Sequence, residues 1–202
     1  MPMYRALVDF CRKGSVDFSQ AHFFNLDELL GLPRTHPASY AAYLRREFFS
    51  KVNASPSHTH LLNGSTQHPL LECIRHERTI IRVGGLGLAV LGIGRNGHIA
   101  FNEPGSPIYS RTRVVRLAPE TIEDNHFAPN TYALTMGIGT ILQAREIILL
   151  ASGPRKAQIV ARALREAPTF AVPASALQLH PNVTVILDRE AARELVITKG
   201  VV

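Results

Sequence analysis

The sequence predicts an α/β fold with a mainly parallel sheet. Short runs of branched and leucine-rich residues alternate with amphipathic stretches. The clearest run, Leu86 to Leu91, leads straight into a glycine-rich turn at Gly92 to Gly97. A chain of 202 residues with 46% apolar and 19% charged side chains suits one globular domain and excludes a disordered or collagen-like chain. No run of 18 uncharged apolar residues occurs, so no transmembrane helix is expected, and no secretory core opens the chain. Cys11 and Cys73 form neither a disulfide framework nor a CxxC knuckle, which makes the cytoplasm the expected setting. The net charge of +6 is mild, and its arginine clusters lack interleaved aromatics. A small anion such as a phosphate ester is therefore a better expected partner than nucleic acid or membrane.

The elements follow in order. Residues 3–13 read as a helix with Leu7, Phe10 and Cys11 on its apolar face, stopped by Gly14. Ala21 to Leu26 reads as a short buried strand because of Phe23 and Phe24. Ser39 to Phe49 reads as a helix capped by Ser39. Residues 51–70 form a polar loop, and Glu72 to Arg82 a helix with a basic outer face. Strands are expected at 86–91, 111–117, 146–150 and 184–187. Pro119 starts a helix, and His126 to Tyr132 is too irregular to continue it. Further helices are expected at 136–142, 156–164 and 190–195.

The turn Gly92-Ile93-Gly94-Arg95-Asn96-Gly97 matches G-x-G-x-x-G after a strand. A dinucleotide site needs a helix to start at the third glycine. Here Pro104 would stop such a helix within about two turns. The glycines fit better as backbone wrapped closely around a small ligand, with no nucleotide cofactor.

Two polar clusters stand at expected strand ends, where open sheets bind ligands. Asn96, His98, Asn102 and Glu103 form the first. A histidine such as His98 can shuttle a proton, and Glu103 could hold one ring nitrogen while the other faces a substrate. A loop histidine merely satisfied by its neighbour is the competing reading. Asp27 and Glu28 form the second cluster, in which one carboxylate could take a proton from carbon and Glu28 could equally be a solvated residue. His58 and His60 lie in the polar loop, without an HExxH or a cysteine pair, so no metal is expected. No G-x-S-x-G supports a serine hydrolase.

The ordered motifs Phe24-Asn25-Leu26-Asp27-Glu28, His36-Pro37-Ala38-Ser39-Tyr40, Leu61-Leu62-Asn63-Gly64, Gly92 to Gly105, Ser110-Arg111-Thr112-Arg113, Ala133 to Ile141 and Ser175 to His180 run through nearly the whole chain. Together they resemble the NagB-type sugar-phosphate isomerase family, which includes the glucosamine-6-phosphate deaminases. The resemblance implies a single Rossmann-like, three-layer domain over residues 1–202. It implies conversion of glucosamine 6-phosphate and water to fructose 6-phosphate and ammonia, without a cofactor. By the same resemblance Asp27 is the base that moves a proton between C2 and C1. His98 opens the sugar ring, Glu103 and Asn96 orient it, and Lys156 binds phosphate. The backbone at Gly94 and Gly97 approaches the substrate.

Departures from the family pattern qualify these expectations. The family's first strand and its glycine/threonine phosphate loop lack a counterpart ahead of Pro2, so an N-terminal incompleteness is expected. Many members have Asp where this chain has Asn96, which adds no negative charge beside His98. No arginine stands in His126-Phe127-Ala128-Pro129-Asn130, where the family carries a phosphate ligand, and Gly84 to Gly87 differ from the usual acidic lead-in. Arg113 and Ser106 match positions of a regulatory site, but Val115 replaces a lysine there, so weak or absent allostery and a monomer or small homo-oligomer are expected. A 6-phosphogluconolactonase-like hydrolase and a non-catalytic sugar-phosphate-binding protein remain the alternatives. Ammonia release separates both from a deaminase.

Overall fold

The structure is a computed structural model and describes residues 2–195. Its six strands form two sheets of three. Strands β2 (Leu88–Gly92), β5 (Glu146–Ala151) and β6 (Val183–Leu187) are parallel in the order β2-β5-β6. Strands β1 (Asp27–Leu29), β4 (Tyr132–Thr135) and β3 (Arg113–Arg116) are antiparallel in the order β1-β4-β3. The mainly parallel sheet expected from the sequence is therefore corrected to equal shares of parallel and antiparallel pairing.

The parallel sheet carries the main core. Ala89, Leu91, Ile147 and Leu149 pack with Ile159, Val160 and Ala163 of helix α6 (Ala157–Arg165). Ile80 of α3 (Pro69–Arg82) and Ile138 and Ile141 of α5 (Ile138–Ile141) close the same cluster. Each such leucine, isoleucine or valine side chain contributes roughly 1.5–3 kcal/mol on burial. Leu29 of β1 and Ala133 of β4 pack with Phe101 and Leu117 in a separate small cluster.

Several expected elements shift. In helix α1 (Pro2–Arg12) Val8 is the buried residue, whereas Phe10 lies exposed. Tyr4 faces Tyr43 and Phe48 and anchors α1. Ala21 to Leu26 is not a sheet strand. Phe23 makes one bridge to Thr59, and pairing begins only at Asp27, where β4 supplies a partner. Helix α2 (Tyr40–Glu47) is capped as expected, since Ser39 Oγ accepts from the Ala42 amide. Helix α4 (Pro119–Asn125) ends at His126, whose φ of 55° turns the chain left-handed. The following β4 was not anticipated. Residues 190–195 form turns rather than a helix.

Candidate active site

A cleft of about 550 Å³ opens at the carboxyl ends of β2 and β5. Asp27 and Tyr40 line it from one side, and Gly94, Arg95 and His98 from the loop after β2. Arg155 and Lys156 reach it from the loop after β5, and Asp124 from α4. This is the position at which parallel sheets present ligand sites.

Asp27 and its neighbour Glu28 meet opposite environments. Glu28 is fully buried and accepts from the amides of Leu29, Tyr40 and Ala41 and from the Ser39 hydroxyl, at 2.8–3.0 Å. It thus ties β1 to the first turn of α2, where the helix dipole favours a negative charge. The solvated alternative for Glu28 is excluded by this burial. The Asp27 carboxylate, half-buried at the cleft wall, accepts no hydrogen bond among the described residues. Burial, and then the charge of Glu28, push its pKa up to about 7. Burial and the same two carboxylates also push the Tyr40 hydroxyl upward.

The loop after β2 builds the second half of the site. Gly97 has φ +88° and is followed by a turn, not a helix. At Gly94 an added Cβ would fall 2.2 Å from His98 Cε1, so only glycine lets the imidazole lie against the backbone. Asn96 Nδ2 donates to Glu103 Oε2 at 2.8 Å, which leaves Asn96 Oδ1 to accept from His98 Nδ1 at 2.8 Å. Glu103 Oε2 itself lies 3.4 Å from that nitrogen. The arrangement assigns the proton of neutral His98 to Nδ1. Nε2 has no hydrogen-bond partner among the described residues and is open to a ligand. For Glu103, burial works upward, but hydrogen bonds from His98, Thr121 and Asn96 outweigh it and hold the carboxyl below its ordinary value.

Asp27, His98, Lys156 and Gly94 of the residues singled out from the sequence share the cleft. Asn96 and Glu103 stand behind His98. Gly97 is not among the residues that line the cleft. Its φ and its packing against Val172 and Ile159 shape the loop instead. Asn102 likewise serves the fold. It is buried, donates to the Ile99 and Met136 carbonyls and accepts from Arg113. Arg113 also donates to Ser106 Oγ, so both of these residues are engaged inside the fold. Arg95, Arg155, Asp124 and Tyr40 were missed as cleft residues. The available signals were the adjacency of Arg155 to Lys156 and the place of Arg95 between Gly94 and Asn96. Burial, only partly offset by Asp124 and reinforced by Arg95, lowers the pKa of Lys156.

The polar-loop histidines are less exposed to water than their sequence suggests. His60 Nε2 lies 2.9 Å from His22 Nδ1, and its ring packs on Phe24. Among the described residues no group of three or more His, Cys, Asp or Glu is placed to hold a metal ion. Among the same residues no helix is long and apolar enough to cross a membrane.

The family model for glucosamine-6-phosphate isomerases/6-phosphogluconolactonase matches residues 1–186, and the chain belongs to that family. Its similarity is greater to deaminases than to lactonases. Glucosamine-6-phosphate deaminase 2 of Giardia intestinalis is 46% identical over 202 residues, covering 96% of this chain and 77% of that protein. The Cellvibrio japonicus glucosamine-6-phosphate deaminase is 43% identical over 96% of this chain and 76% of its own length. A solved monomeric glucosamine-6-phosphate deaminase superposes with a TM-score of 0.91 at 41% identity, covering 95% of this chain and 82% of that one. The 6-phosphogluconolactonase of Trypanosoma cruzi shares the fold, with a TM-score of 0.74 at 20% identity over 96% of this chain and 78% of that one.

Proposed function

We propose that this chain is a glucosamine-6-phosphate deaminase whose acid/base groups are Asp27 and His98. The observation that carries the reading is that the unpartnered Asp27 carboxylate and the Nδ1-anchored imidazole of His98 line one cleft. Lys156 and Arg155 supply positive charge at the same cleft, suited to a phosphate ester.

The sugar must open before its C2 hydrogen becomes acidic. His98 Nε2 takes the C1 hydroxyl proton and returns a proton to the ring oxygen, while Asn96 and Glu103 fix the imidazole. Asp27 then removes the C2 proton and delivers one to C1. The intermediate between these steps is an enolamine, with developing oxygen charge that the backbone amides of the glycine turn are suited to receive. Protonation at C1 gives a C2 iminium. Water adds to it, and the carbinolamine expels ammonia to leave fructose 6-phosphate. These steps call on no organic cofactor or metal. A base with a pKa of about 7 suits this task, since a good part of it is ionised at neutral pH and the ionised form is still proton-avid. We place the protein in the cytoplasm, as a monomer or small homo-oligomer with little or no allosteric control.

The test is release of ammonia from glucosamine 6-phosphate in D2O. Deuterium is expected at C1 of the fructose 6-phosphate formed. Asp27→Asn should lower turnover by about 1,000-fold or more while the fold persists. Hydrolysis of a phosphogluconolactone without ammonia release, or sugar-phosphate binding without turnover, would overturn the proposal.

A further inference from the structure

Asp124 is the second carboxylate of the cleft and has no part in the chemistry above. Its Oδ1 pairs with Arg95 Nη1 at 3.1 Å and so bridges α4 to the glycine turn after β2. Arg95, Arg155 and Lys156 converge on the cleft from two separate loops, and Asp124 is the anion set among them. Its position at the carboxyl end of α4 is locally unfavourable. A helix end of that polarity disfavours a negative side chain, and α4 has no basic residue in its last turn. The anion is offset there by the cations facing it.

We propose that Asp124 is a built-in stand-in for the substrate's phosphate. In the free protein its carboxylate occupies the cationic end of the cleft, and a phosphate monoester dianion binds by displacing it and taking over Arg95 together with Arg155 and Lys156. This inference deepens the proposed function, since it rests on the cleft accepting a phosphate ester. The exchange is physically easy. Arg95 and Asp124 retain 48% and 31% of their side-chain exposure, and an ion pair that wet is weak. A dianion offers each cation more charge than one carboxylate does, and it suffers repulsion from Asp124 until that side chain swings away. Asp124 therefore tunes affinity and selects dianions over singly charged competitors. Its charge also acts on Lys156, in the direction that favours the protonated amine.

The experiment is titration of the purified chain and its Asp124→Asn variant with inorganic phosphate, followed calorimetrically, alongside KM for glucosamine 6-phosphate. The variant is expected to bind phosphate about fivefold more tightly, and KM to fall in parallel. Arg95→Gln is expected to weaken phosphate binding and to erase the gain when combined with Asp124→Asn. Unchanged or weaker phosphate binding in Asp124→Asn would overturn the inference, as would absence of phosphate binding in both proteins. Tighter phosphate binding without any ammonia release would leave the stand-in intact and remove the deaminase reading instead.

Discussion

Two adjacent carboxylates, one turned toward α2 and one toward the cleft, are treated in opposite ways. Glu28 is sealed in the fold with four hydrogen bonds, and the Asp27 carboxylate is held at the cleft wall with none among the described residues. Strand alternation makes this division possible, because neighbouring side chains of β1 point to opposite faces. Ion-stabilising contacts are thus spent on the residue that secures α2. The residue beside it is left with a pKa near neutrality by burial and by its neighbour's charge. Reactivity at Asp27 and stability at Glu28 come from one dipeptide.

The contrast can be broken experimentally. Glu28→Ala has the largest expected effect on stability. It strands three amides and a hydroxyl, at a cost of about 3 kcal/mol, read from urea unfolding. A loss below about 1 kcal/mol would show that Glu28 does not secure α2. The next effect is on the pH profile. With Asp27 near 7, kcat/KM should rise on the order of 100-fold between pH 5 and pH 8, and a flat profile would detach the base from Asp27.

The smallest effect is the most diagnostic. The folded pKa of Asp27 lies above the ordinary carboxylate value of about 4, so the folded state holds a proton that the unfolded chain releases. Stability therefore falls as pH rises from about 4 through about 7. Asp27→Asn removes this penalty and should stabilise the protein by at least about 1 kcal/mol at pH 8, with no gain near pH 4. Thermal unfolding at the two pH values measures it. An equal effect at both would mean that packing, not ionisation, governs the site.

Much of the parallel half was legible because its strands are continuous apolar runs. Leu86 to Leu91 and Glu146 to Leu150 locate β2 and β5 to within two residues. Of the antiparallel half, β3 was legible too, expected at 111–117 and found at Arg113–Arg116, but β1 and β4 were not. These two pair Asp27 with Thr135 across more than one hundred intervening positions, and no local pattern in Asp27-Glu28-Leu29 or Tyr132-Ala133-Leu134-Thr135 announces that partnership. Phe23 and Phe24 misled because aromatic residues packing against a core look like a strand without ladder partners. At the site, His98, Glu103 and Asn96 were visible as a compact local motif. Arg95, Arg155 and Asp124 were not, because their meeting depends on two loops and the end of α4 arriving at one cleft. Asn102 was over-read, since polarity in a functional motif does not distinguish a reacting group from a strut.

The bare backbone at Gly94 gives the imidazole a wall with no clearance. A single methyl there would occupy the volume of the ring itself. This position therefore acts as a fixed gauge for where proton exchange happens. Any lineage that added a side chain at Gly94 would have to relocate His98 and rebuild the relay behind it in the same step.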